Sequence, residues 1–402
     1  MKNIQISIIL FFFCSLTAVS QERLTQEDVS KHTQYFTISE DHQFSENILE
    51  VLNREASNSQ FIGIAEVHQS EQLSYFTTAL LGLLKKHQFN HLALEIGDYS
   101  ASILEKASKI PSATSENLKQ LNTKYGKSRF PYVPFIFVDK VADAKFIEEA
   151  SKLQMNLWGI DREYEFSYLL HFDKMFAMSS KSSSIKKKYS KARKLMHKVA
   201  FKDKVFGTSK YCWLLKEPII NDYFQEVSND AGLKAYVSEI RNSWDIYCRF
   251  VQNKGGSAAR AKYMRKKFDS LYNIALQHEN LPKVLVKLGG VHLTHGNSIY
   301  GRYDVGRHLH EKAKENNTNF LAIRHVWRYK NGKDQKEKSG WKNTRFLMEM
   351  GRKDQWTLID LRPIKEMVRL QNLQVDQGTA WELKNYDLFL ISPNDSKGKI
   401  NR

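Results

Sequence analysis

The chain is poor in the residues that announce several common chemistries. It has three cysteines in 402 residues, and they form no CxxC pair or Cys/His cluster, so a structural zinc site of the usual spacing is excluded. No Gly-x-Ser-x-Gly elbow occurs, and neither Cys212 nor Cys248 sits in a nucleophile context, so no covalent nucleophile is indicated. Seven prolines are too few for a Pro-rich linker, and there is no internal repeat. Long apolar runs are also missing, with one exception. Lys2 precedes an apolar stretch from Ile4 to Cys14, and Ala18-Val19-Ser20 offers small residues before Gln21. Eleven residues are too short to span a bilayer, so residues 1–20 read as a secretory signal peptide. The alternative is a lipoprotein signal with Cys14 as the acylated residue. The expected location is therefore outside the cytoplasm, periplasmic or secreted, with no transmembrane segment after cleavage.

What is present is enough for a large core: 42% hydrophobic and 12% aromatic residues, with an ordinary charged fraction of 26%. The net charge of +17 is concentrated. Lys181 to Lys204 holds ten Lys or Arg against Asp203 alone, and Asn253 to Lys267 adds six with no acid. Such a stripe is a solvated helix face or a surface for an anionic envelope polymer or lipid headgroups. Export argues against nucleic acid as the partner. Export also permits a Cys212–Cys248 disulfide, but spacing alone leaves it equal with two buried thiols.

Short apolar runs alternate with amphipathic stretches. Phe61–Ala65, His91–Leu94, Asn156–Ile160, Lys283–Leu288, Asn319–Arg324, Trp356–Leu361 and Asp387–Ile391 read as strands, and Glu71–Lys86, Ser100–Lys109, Asp139–Leu153 and Tyr303–Lys314 as helices. This predicts an α/β fold: a mostly parallel sheet covered by helices on both faces. Residues 165–280 carry almost no strand signal and read as a helical insertion over the carboxyl edge of the strands, within one domain running from 21 to 402.

Four of the runs end in ionisable groups: Glu66-Val67-His68, Glu95, Asp161, and Gly289-Gly290-Val291-His292. In an open parallel sheet the carboxyl ends share one edge, where ligands bind. Unpartnered buried carboxylates are costly, so these groups are expected to pair with one another or with a ligand. Each also has a plainer reading. Glu95 can hold an arginine such as Arg260 or Arg129, Asp161 can cap the next helix, and His295 competes with His292.

The series Gly63-x-x-Glu66-x-His68, Leu94-Glu95, Gly159-x-Asp161 and Gly289-Gly290-x-His292 resembles the erythromycin-esterase-like family. That family sits in a wider superfamily with the ChaN-like haem-binding and Tiki-type proteins. Arg260-Ala261-Lys262-Tyr263-Met264 is similar to the family's Arg-Asp-x-x-Met segment, and Tyr303 to Leu309 to its Met-Gly-x-x-Leu helix start. Three details differ: the acid stands two residues before His68 rather than three, Gln69 replaces a glycine, and Ala261 replaces an aspartate. The resemblance implies a hydrolase for an ester, lactone or amide in a small-molecule or peptide substrate. His68 would be the general base, with Glu66 or Glu95 orienting it. His292 and Arg260 would stabilise the oxyanion, and Asp161 and His295 would contact substrate. It equally allows no cofactor or one divalent metal held by His68, Glu66, Glu95 and His292. The alternatives it leaves open are an envelope protein binding haem or metal, and an inactive scaffold with a basic binding surface.

Overall fold

The computed structural model of the chain describes residues 22–126, 133–206 and 211–402, the side chains of 200–206 and 211 excepted. Residues 1–20, expected from the sequence to be a signal peptide, with Cys14 among them, lie outside the described residues, as does Arg129. Ten strands are present: β1 (Thr33–Phe36), β2 (Ser59–Glu66), β3 (Phe89–Gly97), β4 (Asn156–Asp161), β5 (Lys283–Gly289), β6 (Asn319–Trp327), β7 (Tyr329–Lys330), β8 (Lys333–Asp334), β9 (Trp356–Asp360) and β10 (Leu388–Ser392). Eight of them form one sheet in the order β1-β9-β10-β6-β2-β5-β3-β4, while β7 and β8 make a separate hairpin. From β10 to β4 every pairing is parallel. At the other edge β9 runs antiparallel to both β10 and β1.

Both faces of the sheet are covered, so its central strands bury nearly all of their side chains. All eight residues of β2 are buried, and they alternate between two cores. Ile62 and Ile64 join a core with Leu73, Phe76 and Leu80 of the helix Glu71–Lys86. Phe61 and Ala65 join a second core with Val305, Leu309 and Ala313 of the helix Val305–Glu315. The neighbours β2 and β5 thus send the chain to opposite faces, which opens a crevice at their carboxyl ends.

The segment after β4 divides in two. Helices Tyr168–Met178, Ser183–Phe206, Tyr211–Leu214, Pro218–Val227 and Leu233–Val251 form a lobe with its own core around Phe172, Tyr223 and Trp244. The following helix, Gly256–Ala275, lies on the sheet instead, with Met264, Phe268 and Tyr272 in the second core. A buried latch fixes the lobe over the ends of β3 and β4. Glu163 accepts hydrogen bonds from the Tyr99 and Ser100 backbone amides (2.8 and 3.1 Å) at the start of helix Asp98–Ser108, and pairs with His171 of the lobe at 2.9 Å. The Ser100 hydroxyl also donates to Glu163. With Glu163 and His171 fully buried, this Ser/His/Glu grouping is a structural joint without access to substrate.

Cys212 and Cys248 are joined by a disulfide with their Cα atoms 5.3 Å apart. It ties Tyr211–Leu214 to the end of Leu233–Val251, and closing a loop of that length is worth roughly 3–4 kcal/mol in chain entropy. Urea unfolding of the Cys212→Ser/Cys248→Ser variant is expected to show a loss of about 2–4 kcal/mol, with the same loss on adding reductant to the native chain. Unchanged stability in both would remove the bridge as a support of the lobe.

Candidate active site

The crevice at the ends of β2, β3, β4 and β5 gathers three sets of paired charges. In the first, Glu66 closes β2 and receives the Nδ1 side of His68 at 2.9 Å. Its other oxygen is taken by the Lys287 ammonium of β5. Burial pushes the Glu66 carboxyl up, but Lys287 and His68 outweigh it and hold it down at about 2. The His68 ring stacks on Phe137 with centroids 3.8 Å apart, and about a third of the side chain (35%) is open to solvent.

The second set is centred on Arg260. This side chain reaches from the helix Gly256–Ala275 to Asp161 at the end of β4, with Nε 2.9 and 3.1 Å from the two carboxylate oxygens and Nη2 bonding as well. Nη2 also donates to Glu95 of β3 at 2.6 Å. The second oxygen of Glu95 accepts the Gly289 amide at 2.5 Å. Burial raises the Asp161 carboxyl, yet the charge and hydrogen bonds of Arg260 bring it below the usual range.

The third set follows β5. The single turn Gly290–His292 places His292 with Nδ1 3.0 and 3.1 Å from the Asp304 carboxylate and Nε2 3.7 Å from Glu95. Asp304 is held by its own bond from the Val305 amide at the start of helix Val305–Glu315.

Glycine leaves room for charged side chains at the crest between these sets. A Cβ on Gly289 would lie 2.9 Å from His68 Nε2 and 3.2 Å from Glu95 Oε2, and one on Gly290 would strike the Arg324 guanidinium. The turn is pinned from behind by the Tyr386 hydroxyl, which donates to the Gly290 carbonyl at 2.9 Å.

The ionic balance sets the imidazoles. The carboxylates nearest the rings are Glu66 and Glu95 for His68 and Asp304 and Glu95 for His292. Burial depresses the His68 pKa, but the hydrogen bond and charge of Glu66, with the charge of Glu95, raise it above 6.5 overall. His292 follows the same pattern: burial lowers it, while the Asp304 bond and the Glu95 charge prevail over Arg260. Beside Glu66 and Lys287 opens a cavity of about 350 Å³, bordered by Ser74, Phe137, Asp143 and Tyr164. Burial pushes the Asp143 carboxyl up to about 6, against the charge of Lys287.

The structure therefore brings together Glu66, His68, Glu95, Asp161, Arg260 and His292. Asp161 enters as the anchor of Arg260, with both oxygens engaged by it. His295 is not brought to this cluster. Three residues past His292 the chain has turned away, and His295 bonds Asp387 at 2.7 Å and His310 at 3.1 Å. Three further contributors were not singled out in the sequence as site residues: Lys287, Asp304 and Phe137. A lysine inside the apolar run Lys283–Leu288 was the available signal for the first.

A divalent metal does not fit these donors. Both oxygens of Glu66 and of Glu95 are already occupied, and the Lys287 and Arg260 cations stand among them, where a further cation would be repelled. Among the described residues no group of three or more His, Cys, Asp or Glu is arranged to hold a metal ion.

No protein-family profile and no curated protein matches the sequence. Solved structures do match over nearly its whole length. A mutant of the erythromycin esterase EreC in its open conformation aligns with a TM-score of 0.53 at 12% identity, covering 92% of this chain and 100% of that one. A protein from Bacillus cereus aligns at 0.52 and 14%, covering 92% and 97%, and a succinoglycan biosynthesis protein at 0.51 and 12%, covering 92% and 96%. The chain has the α/β fold of erythromycin esterase.

Proposed function

We propose that this chain is an exported hydrolase that activates water with the Glu66–His68 pair to cleave an ester, lactone or amide. The observation that carries the reading is the pairing of one solvent-reaching imidazole, oriented by a buried carboxylate, with a second imidazole and an arginine across a glycine crest. The fold of an esterase supports it. Export is supported by the N-terminal apolar run and by a disulfide, which persists in oxidising compartments.

In this mechanism Nδ1–H of His68 donates to Glu66, leaving Nε2 to take a proton from water as it attacks the carbonyl carbon. The oxyanion that forms is met by His292, protonated and held by Asp304. It is also met by the one nitrogen of Arg260, Nη1, that its carboxylate partners leave uncommitted. Donors held in place by their partners act where the charge develops. Collapse of the intermediate breaks the bond to the leaving group, which takes its proton from His68. Glu66, Lys287, Asp161 and Asp304 are positioning residues in this scheme.

On a panel of ester and lactone substrates, His68→Ala and His292→Ala are each expected to lower kcat/KM by roughly 10²–10⁴-fold while far-UV circular dichroism stays native. Full activity in both would remove them from the chemistry. His68 must be neutral to accept a proton, and its folded pKa is raised. Activity should therefore fall as pH drops, with the acid limb of kcat/KM centred above 6.5. A limb below that value would contradict the assigned base. Because the donors do not suit a metal, dialysis against a chelator is expected to leave kcat/KM unchanged, and a loss restored by added zinc would overturn that part of the scheme.

A further inference from the structure

The outer lobe has a surface that hydrolysis does not use. Trp213 and Phe250 are large apolar side chains left 52% and 57% exposed. They do not lie there as isolated residues, because each is within two positions of a half-cystine of the Cys212–Cys248 bridge. The disulfide holds the two helix ends together, so both rings belong to one corner of the lobe. Exposed Lys216, Arg249 and Lys254 flank them. Of these, Arg249 is shared with Asp245 at 2.7 Å.

A second observation points to the same partner chemistry. On the helix Ser183–Phe206, Ile185, Ala192, Met196 and Val199 are buried against the lobe core. Lys187, Lys191, Lys194 and Lys198 recur at intervals of four, three and four along an exposed or outward face. They form a ridge about 16 Å long. An aromatic pair flanked by cations, on a lobe that also carries an outward row of lysines, combines an apolar insert with attraction to fixed negative charge. That is the make-up of a segment lying at a membrane interface. A dissolved polyanion would answer to the lysines but would leave the two rings in water.

We propose that this lobe docks on a lipid bilayer bearing anionic headgroups, with Trp213 and Phe250 entering the interface and the lysine ridge facing the phosphates. The corner lies outside the Glu66–His68 crevice, so the proposal stands or falls separately from the hydrolase reading. Membrane seating in this way is peripheral; among the described residues no helix is long and apolar enough to cross a bilayer.

The test is co-sedimentation of the chain from residue 21 onward with vesicles of equal parts phosphatidylglycerol and phosphatidylcholine. Binding is expected, and it should be at least about tenfold weaker to phosphatidylcholine alone or in roughly 0.5 M salt. The Trp213→Ala/Phe250→Ala variant should lose about tenfold or more, and Lys191→Glu/Lys194→Glu should lose the preference for anionic lipid. Both change exposed positions, and native melting temperatures will confirm that they fold. Three results would overturn the proposal: no sedimentation with either vesicle, equal binding to both, or undiminished binding of the Trp213→Ala/Phe250→Ala variant. The last, with a sulfated polysaccharide displacing the vesicles, would assign the surface to a soluble polyanion.

Discussion

Charge cannot be carried to the edge of a buried sheet unless each group meets its opposite there. This constraint organises the crevice. Glu66 is matched by Lys287 from the adjacent strand, and Glu95 and Asp161 share Arg260, which arrives from a helix on the second face. Removing one partner of such a buried pair typically costs about 3–5 kcal/mol, because the other is left uncompensated. The pairs are therefore mutually dependent, and the backbone between them must let them approach. Gly289 and Gly290 do so: the first offers its amide to Glu95 and leaves room for His68, and the second leaves room for Arg324.

From that arrangement the properties of the histidines follow. The hydrogen bond that each imidazole gives its carboxylate, Glu66 or Asp304, together with the charge of Glu95, makes both more basic despite burial. Topology determines where this happens, since β2 and β5 are neighbours whose connections leave on opposite faces. The lobe is joined at the same edge by the Glu163–His171 pair. Beside Glu66 and Lys287 lies a cavity whose border is made by residues of the sheet edge and the helices and loops beside it, Ser74, Phe137, Asp143 and Tyr164 among them.

Much of this was legible in the sequence, for identifiable reasons. Strands buried on both faces appear as unbroken apolar runs, so β2 to β6 could be read, and the polar residues ending them marked the edge. The parts that escaped depend on distance in space. Lys287 looks like an ordinary interruption of an apolar run until Glu66 is placed beside it. Asp304 is twelve residues from His292 and meets it only because the intervening chain loops back. His292 and His295 are equivalent on paper, and the turn after β5 separates them. The pairing of Cys212 with Cys248 required the helices between them to fold back on one another. The four-residue β1 was too short to stand out, and it forms because β9 offers an antiparallel edge. The helix Gly256–Ala275 belongs to the sheet, although by sequence it continues the insertion, since amphipathic periodicity does not say which core a helix covers.

Paired charges set at the sheet edge make His68 and His292 more basic than free imidazole. Titration of the two rings by NMR, assigned through His68→Gln and His292→Gln, measures this directly. Both are expected to titrate above 6.5 in the folded protein, and Glu66→Gln should lower the His68 midpoint while leaving that of His292 nearly in place. A native His68 midpoint below 6.5, or one indifferent to Glu66→Gln, would contradict this.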